Sequence, residues 1–234
     1  MTAHEPATTT RIAPVVTLRF TACAVVAAVM CSCNILSPAA FLAFGETKTP
    51  AMYELEDRPT VVFVDDRNNA IPINASRIRR RIADDVTREL MAHELVSLTI
   101  SPRDAMALTR RRDREGDLMS MEAIGEAVGA EQLIYIEMLS FRGSVDNITP
   151  RPGAMCRVKV IDIVARTRAF PPVGGDSDWQ EVGALGAPMS LELYRNSEGR
   201  RQIEVSLSAA IADKVTKLFY THVPDELGSR LTPQ

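Results

Sequence analysis

The sequence predicts a single α/β sandwich domain, a mixed sheet of about four strands packed by three to four helices, behind an N-terminal signal segment. Three observations carry this expectation. Continuous or alternating apolar runs stand at Val61–Val64, Leu133–Leu139 and Met155–Val164, with the β-branched content of buried strands. Between them lie segments whose apolar residues recur every three or four positions, the period of a helix face. The composition, 46% hydrophobic and 24% charged over 234 residues, is that of a globular chain able to bury a core without disulfide staples.

The elements follow in order. The polar stretch 47–58, with Pro50 and Pro59 near its ends, reads as a linker. Val61–Val64 is the first strand, broken by the polar run from Asp65 to Asn69. Asn74 or Ser76 then caps a helix in which Ile78, Ile82, Val86 and Leu90 form one apolar stripe. Its other face offers the pairs Arg80–Asp84, Arg81–Asp85 and Asp84–Arg88, each worth about 0.2–0.5 kcal/mol. Leu95–Ile100 is a second strand. Ser101 and Pro102 open the next helix as hydroxyl cap and first-turn proline, and Gly116 closes it. Ser120 caps a third helix, bearing Met121, Ile124 and Val128, which stops at Gly129. Leu133–Leu139 and Met155–Val164 make a hairpin across a long loop. The glycine- and proline-rich stretch 169–199 is expected to be mostly irregular. Ser197 caps a final helix with Ile203, Leu207, Ile211, Val215 and Leu218 inward, closed by Pro224.

The N-terminus has a different character. Arg11 and Arg19 precede an uncharged apolar run, Phe20–Met30, of signal-peptide length. Met30-Cys31-Ser32-Cys33 then resembles a bacterial lipobox, with Cys33 the lipidated cysteine. Two other readings stay open: residues 20–44 as one uncleaved anchor helix, or ordinary cleavage near Ala39-Ala40. With either anchor, arginines before the run and Glu46, Glu54, Glu56 and Asp57 after it place the domain outside the cytoplasm, in the periplasm. The expected organisation is 1–32 signal peptide, 33–59 lipid anchor and linker, 60–223 α/β domain and 224–234 tail. A mature lipoprotein retains Cys156 as its one thiol, so no intrachain disulfide is expected.

The order Val61-Val-Phe-Val-Asp65, amphipathic helix, Leu95-Val-Ser-Leu-Thr-Ile-Ser-Pro102, Ala127-Val-Gly-Ala-Glu-Gln-Leu-Ile-Tyr-Ile136 and Val158-Lys-Val-Ile-Asp-Ile163 resembles a group of periplasmic lipoprotein domains. These are grouped around the curli-secretion lipoprotein, the TolB N-terminal domain and the lipoprotein activators of penicillin-binding proteins. The likeness runs from Thr60 to His222. It implies an α/β domain that assists an envelope machine by protein contact and does not catalyse. The chain departs from the curli-secretion member in lacking a pair of long amphipathic strands for a pore. Arg200-Arg-Gln-Ile-Glu204 and Leu227-Gly-Ser-Arg-Leu231 also resemble uncharacterised planctomycete-type lipoproteins.

Few residues offer chemistry. His93 and His222, outside the signal segment, sit in no metal-ligand spacing. No nucleophile elbow and no phosphate loop is present, so no cofactor is expected. Cys156 shares a strand face with Val158 and Val160 and reads as a small buried hydrophobe. Asp65-Asp66 is the best catalytic candidate, at the end of a first strand, although turn residues are the simpler reading. Two arginine clusters stand out against a net charge of −3: Arg77, Arg79, Arg80, Arg81, and Arg110, Arg111, Arg112, Arg114. Arg77, Arg80, Arg81, Arg110, Arg111 and Arg112 are the expected contacts to an acidic partner or anionic surface, against a plainer reading as solvated helix faces. A sequence pI near 5.7 argues against nucleic acid as the partner. The expectation is therefore a non-enzymatic, lipid-anchored envelope protein that docks a partner; the rival is a ligand-binding or sensor domain in the same place.

Overall fold

The computed structural model describes residues 48–71, 77–116, 118–144 and 150–224. The signal segment, Cys33, the 20–44 stretch, the cap expected at Asn74 or Ser76 and the tail beyond Pro224 lie outside the described residues. From Thr49 onward the chain forms one compact unit, a mixed α/β domain. Its elements are β1 (Thr60–Asp65), α1 (Arg77–Ala92), β2 (Thr99–Ile100), α2 (Pro102–Arg114), α3 (Met121–Val128), β3 (Gln132–Arg142), β4 (Gly153–Asp162), β5 (Thr167–Phe170), β6 (Gln180–Leu185), α4 (Leu191–Arg195) and α5 (Ser197–Thr216). The sheet runs β2-β1-β3-β4-β5, and β6 also pairs with β4. β2, β1 and β3 are parallel; β4, β5 and β6 add antiparallel.

β2 and β3 flank β1 on opposite sides, so right-handed crossovers send α1 to one face and α2 with α3 to the other. Strand alternation agrees. Val62, Val64, Ile134, Ile136, Cys156, Val158 and Val160 share one face, and all are buried. Against it lie Ile78, Ile82, Val86 and Leu90 of α1 and Ile203, Leu207, Ile211 and Val215 of α5, which packs beside α1. Each such side chain contributes about 1.5–3 kcal/mol by leaving water. The other face carries Val61, Phe63, Leu133 and Tyr135 under Met106 and Ile124, then turns polar across Glu137, Arg157 and Lys159. A Cβ on Gly125 of α3 would come within 2.5 Å of the Ile163 side chain, so a larger residue there would force Ile163 to shift.

The helix starts and stops follow the expected chemistry. The Ser120 hydroxyl accepts from the Ala123 amide, and Gly129 ends α3 at φ +75. Several expectations need correction. β2 keeps only Thr99–Ile100, because Leu95 still donates to the Leu90 carbonyl of α1 and the Ser97 amide donates to Asp57. The stretch expected to be irregular holds β5, β6 and α4, which raises the sheet to six strands and the described helices to five. α5 starts from Asn196, one residue earlier than expected, and ends at Thr216, well before Pro224. Asp84 pairs with Arg103 of α2 and Asp85 with Arg88, in place of the expected Arg80 and Arg81 pairs. The segment read as a linker is bonded along the domain: Thr49 bridges His222, the Met52 and Tyr53 amides donate to the Leu218 carbonyl, and Arg58 pairs with Asp162 at 3.0 Å.

Candidate functional site

Among the described residues a concavity forms where the α4–α5 elbow meets the start of α1 and the far end of the β3–β4 hairpin. Local sequence builds the elbow. The Ser190 hydroxyl accepts from the Leu193 amide and caps α4; the Asn196 carboxamide accepts from the Gly199 amide at 2.7 Å and caps α5. The two helices are thus separated by a single residue. A Cβ on Gly199 would stand 1.8 Å from the Leu193 carbonyl oxygen, so the corner closes only with glycine. Arg200 donates to the Arg195 carbonyl at 2.9 Å and ties the corner across. Tyr194 is thrown toward the hairpin, where a Cβ on Gly143 would come within 2.8 Å of its ring.

The resulting groove measures about 640 Å³. Its floor is Ile78, Phe141 and Ile203, Tyr194 walls it, and Arg77, Arg195, Arg200 and Arg201 form the rim. Glu204 is the one carboxylate among the lining residues, and Arg77 Nε holds it at 2.9 Å. Among the described residues Arg195, Arg200 and Arg201 make no ion pair. The N-terminus of α5 adds its partial positive charge, about half an elementary charge. A cationic rim thus surrounds an apolar floor on a chain that is acidic overall.

The structure places the arginines expected from sequence on two surfaces. Arg77 lines the groove. Arg80 and Arg81 continue from it along α1, in a shallow depression shared with Asp84, Asp85 and Arg88. Arg110 and Arg111 lie elsewhere, on α2 with Arg114. There Arg110 and Arg114 donate back to the helix carbonyls of Met106 and Arg110, and Arg112 stands 3.8 Å from Glu115. Sequence reasoning missed Tyr194, Arg195, Arg200 and Arg201 as site residues. The signal was present: Ser190 and Asn196 each precede an acidic residue two positions on, Glu192 and Glu198, the pattern of successive helix starts.

Asp65 and Asp66 have separate roles. Asp66 accepts from the Ala70 and Ile71 amides at 2.7 and 3.2 Å and fixes the turn after β1. Asp65 is buried, accepts from the Tyr135 hydroxyl and pairs with Arg67 Nε at 2.7 Å. Burial, then the bond it donates to Asp65, pushes the Tyr135 phenol well above its ordinary value. It keeps its proton at neutral pH. The cleft beside them, which Arg67 and Arg79 also line, is about 190 Å³. Next to it, Arg157 holds Glu137 through Nε and Nη2, and Trp179 covers Arg157 and Lys159 at 4.2 and 3.7 Å. That layer shields the polar part of the sheet face.

Other groups are spoken for. Cys156 is fully buried, and burial pushes its thiol up to about 12. His93 stacks on Tyr220 at 4.1 Å between centroids, and His222 lies in the bridge to Thr49. No group of three metal-ligating side chains occurs among the described residues, and no described helix is long and apolar enough to cross a membrane.

No family model matches the chain, and no curated protein matches it. Solved structures similar to it include protein XCC0632 from Xanthomonas campestris, at 10% identity, covering 74% of this chain and 87% of that one, with a TM-score of 0.41. A PelC dodecamer from Paraburkholderia phytofirmans matches at 14% identity, 74% and 96% coverage and a TM-score of 0.38. Lipoprotein GNA1162 from Neisseria meningitidis matches at 8% identity, 58% and 90% coverage and a TM-score of 0.36.

Proposed function

We propose that this chain is a non-enzymatic, lipid-anchored protein of the bacterial envelope, whose periplasmic α/β domain docks a protein partner as an accessory or assembly factor. The observation that carries the reading is the arginine-rimmed groove with its apolar floor, continued along α1 by Arg80 and Arg81. Such a surface suits contact with an acidic macromolecule. The cleft at the end of β1 supports the rival ligand-binding reading less well. It is about 190 Å³, against the ~300–1,000 Å³ of small-molecule pockets, and its acids are already bonded. The lipobox ending at Cys33 and the resemblance to the curli-secretion, TolB and penicillin-binding-protein-activator lipoproteins support the envelope setting and a role by contact.

The test is crosslinking in intact membranes, with recovery of the partner across a salt series. Arg80→Glu and Arg111→Glu should each reduce recovery without unfolding the domain. Salt should weaken the wild-type contact as well, because exposed charges act within about 10 Å at 0.1 M. Retention of full recovery by both variants at every salt concentration would remove the reading.

A further inference from the structure

We infer that the groove takes an acidic peptide segment carrying one aliphatic or aromatic side chain, presented by the partner protein. This rests on the docking reading above and names what the partner presents. Arg77 is already engaged by Glu204, which leaves Arg195, Arg200 and Arg201 facing the same cavity. Planar guanidiniums fit carboxylates bidentately and are weakly hydrated, so they lose little on entering an interface. A small anion alone leaves Tyr194, Phe141 and Ile203 unused; a purely apolar ligand leaves three cations desolvated. A short acidic-apolar segment satisfies both.

The shape of the groove favours a peptide over a lipid surface. The apolar residues lie recessed beneath the arginine rim, where a flat headgroup layer does not reach: Ile78, Phe141 and Ile203 are 1%, 8% and 4% exposed.

The experiment uses the full chain, in neutral detergent with fluorescence anisotropy for the peptide and phosphate arms, and diluted free of detergent onto preformed vesicles for the lipid arm. The probe is a short fluorescein-labelled peptide of glutamate and leucine around one phenylalanine. Comparison ligands are the same peptide with lysine for glutamate, inorganic phosphate, and phosphatidylglycerol vesicles. The acidic peptide should bind and the lysine peptide should not. Arg200→Glu with Arg201→Glu should weaken binding about tenfold or more, as loss of charge-assisted bonds predicts. Tyr194→Ala should weaken it too, and Arg166→Glu, in the turn between β4 and β5, should leave it unchanged. Arg200→Gln with Arg201→Gln repeats the test should charge reversal disturb folding, which circular dichroism reports. Equal binding of both peptides, or full binding by the arginine variants, overturns the inference. So does arginine-dependent capture of vesicles or phosphate without the peptide. Should the peptide fail while crosslinking still depends on Arg80 and Arg111, the docking reading stands and only the ligand class falls.

Discussion

Three side chains carry most of the testable weight at the scale of single residues. Asp65 is a buried carboxylate held by the Tyr135 hydroxyl and Arg67. Tyr135→Phe removes one of those bonds and should cost about 1.5–3 kcal/mol, the worth of a hydrogen bond to a charged group, measured by urea unfolding. Asp65→Asn serves a second purpose. On the docking reading it alters stability alone, so a purified chain whose turnover of any substrate vanished in that variant would make the protein an enzyme. The buried Cys156 thiol is raised from 9.0 to about 12. A group whose folded value lies above its unfolded one supports the fold below the unfolded value and loses that support as pH rises. Alkaline destabilisation should therefore set in above about pH 9, with Tyr135 adding to it from about 10. At neutral pH the native thiol should resist a thiol-specific reagent and react only on unfolding.

Single elements show what the sequence could and could not reveal. The stripe Ile203, Leu207, Ile211 and Val215 is legible because α5 is long and these four recur every four positions, and the structure buries all four beside Ser208 and Thr216. β1, β3 and β4 are legible too: β1 and the first part of β3 are nearly continuous apolar runs because both their faces are covered, and β4 alternates, with Cys156, Val158 and Val160 buried between Arg157 and Lys159. β6 buries only Val182 and Ala184, between exposed Gly183 and Leu185, and such a weak alternation is lost among nearby glycines. α4 has five residues and buries none completely; its existence depends on two caps and on the fit of Gly199 against Leu193. The groove shares that fate, because Arg77 and Arg200 lie far apart in sequence and meet only through the packing of α1 on α5. Gly199→Ala should therefore cost about 1–3 kcal/mol, the range for forcing added bulk into a packed site, and should abolish peptide binding as the elbow opens. Leu207→Ala, in the middle of the α1–α5 contact, should cost about 2–5 kcal/mol by denaturant unfolding.

The whole molecule joins an expected lipid anchor to a domain with a cationic groove at the N-terminal end of its longest described helix. Anchorage has its own test. Cys33→Ser should shift the protein from the detergent phase to the aqueous phase or leave its signal segment uncleaved, and mass spectrometry of an intact 20–44 segment in the wild type would favour an anchor helix. Docking through the groove can be caught by a photo-crosslinking amino acid in place of Tyr194, in living cells. It should give one adduct with an envelope protein, lost when Arg200→Glu and Arg201→Glu are added. Docking there is contradicted if position 194 gives no adduct while the same group in place of exposed Val164 does, or if the adduct at 194 survives both charge reversals unchanged.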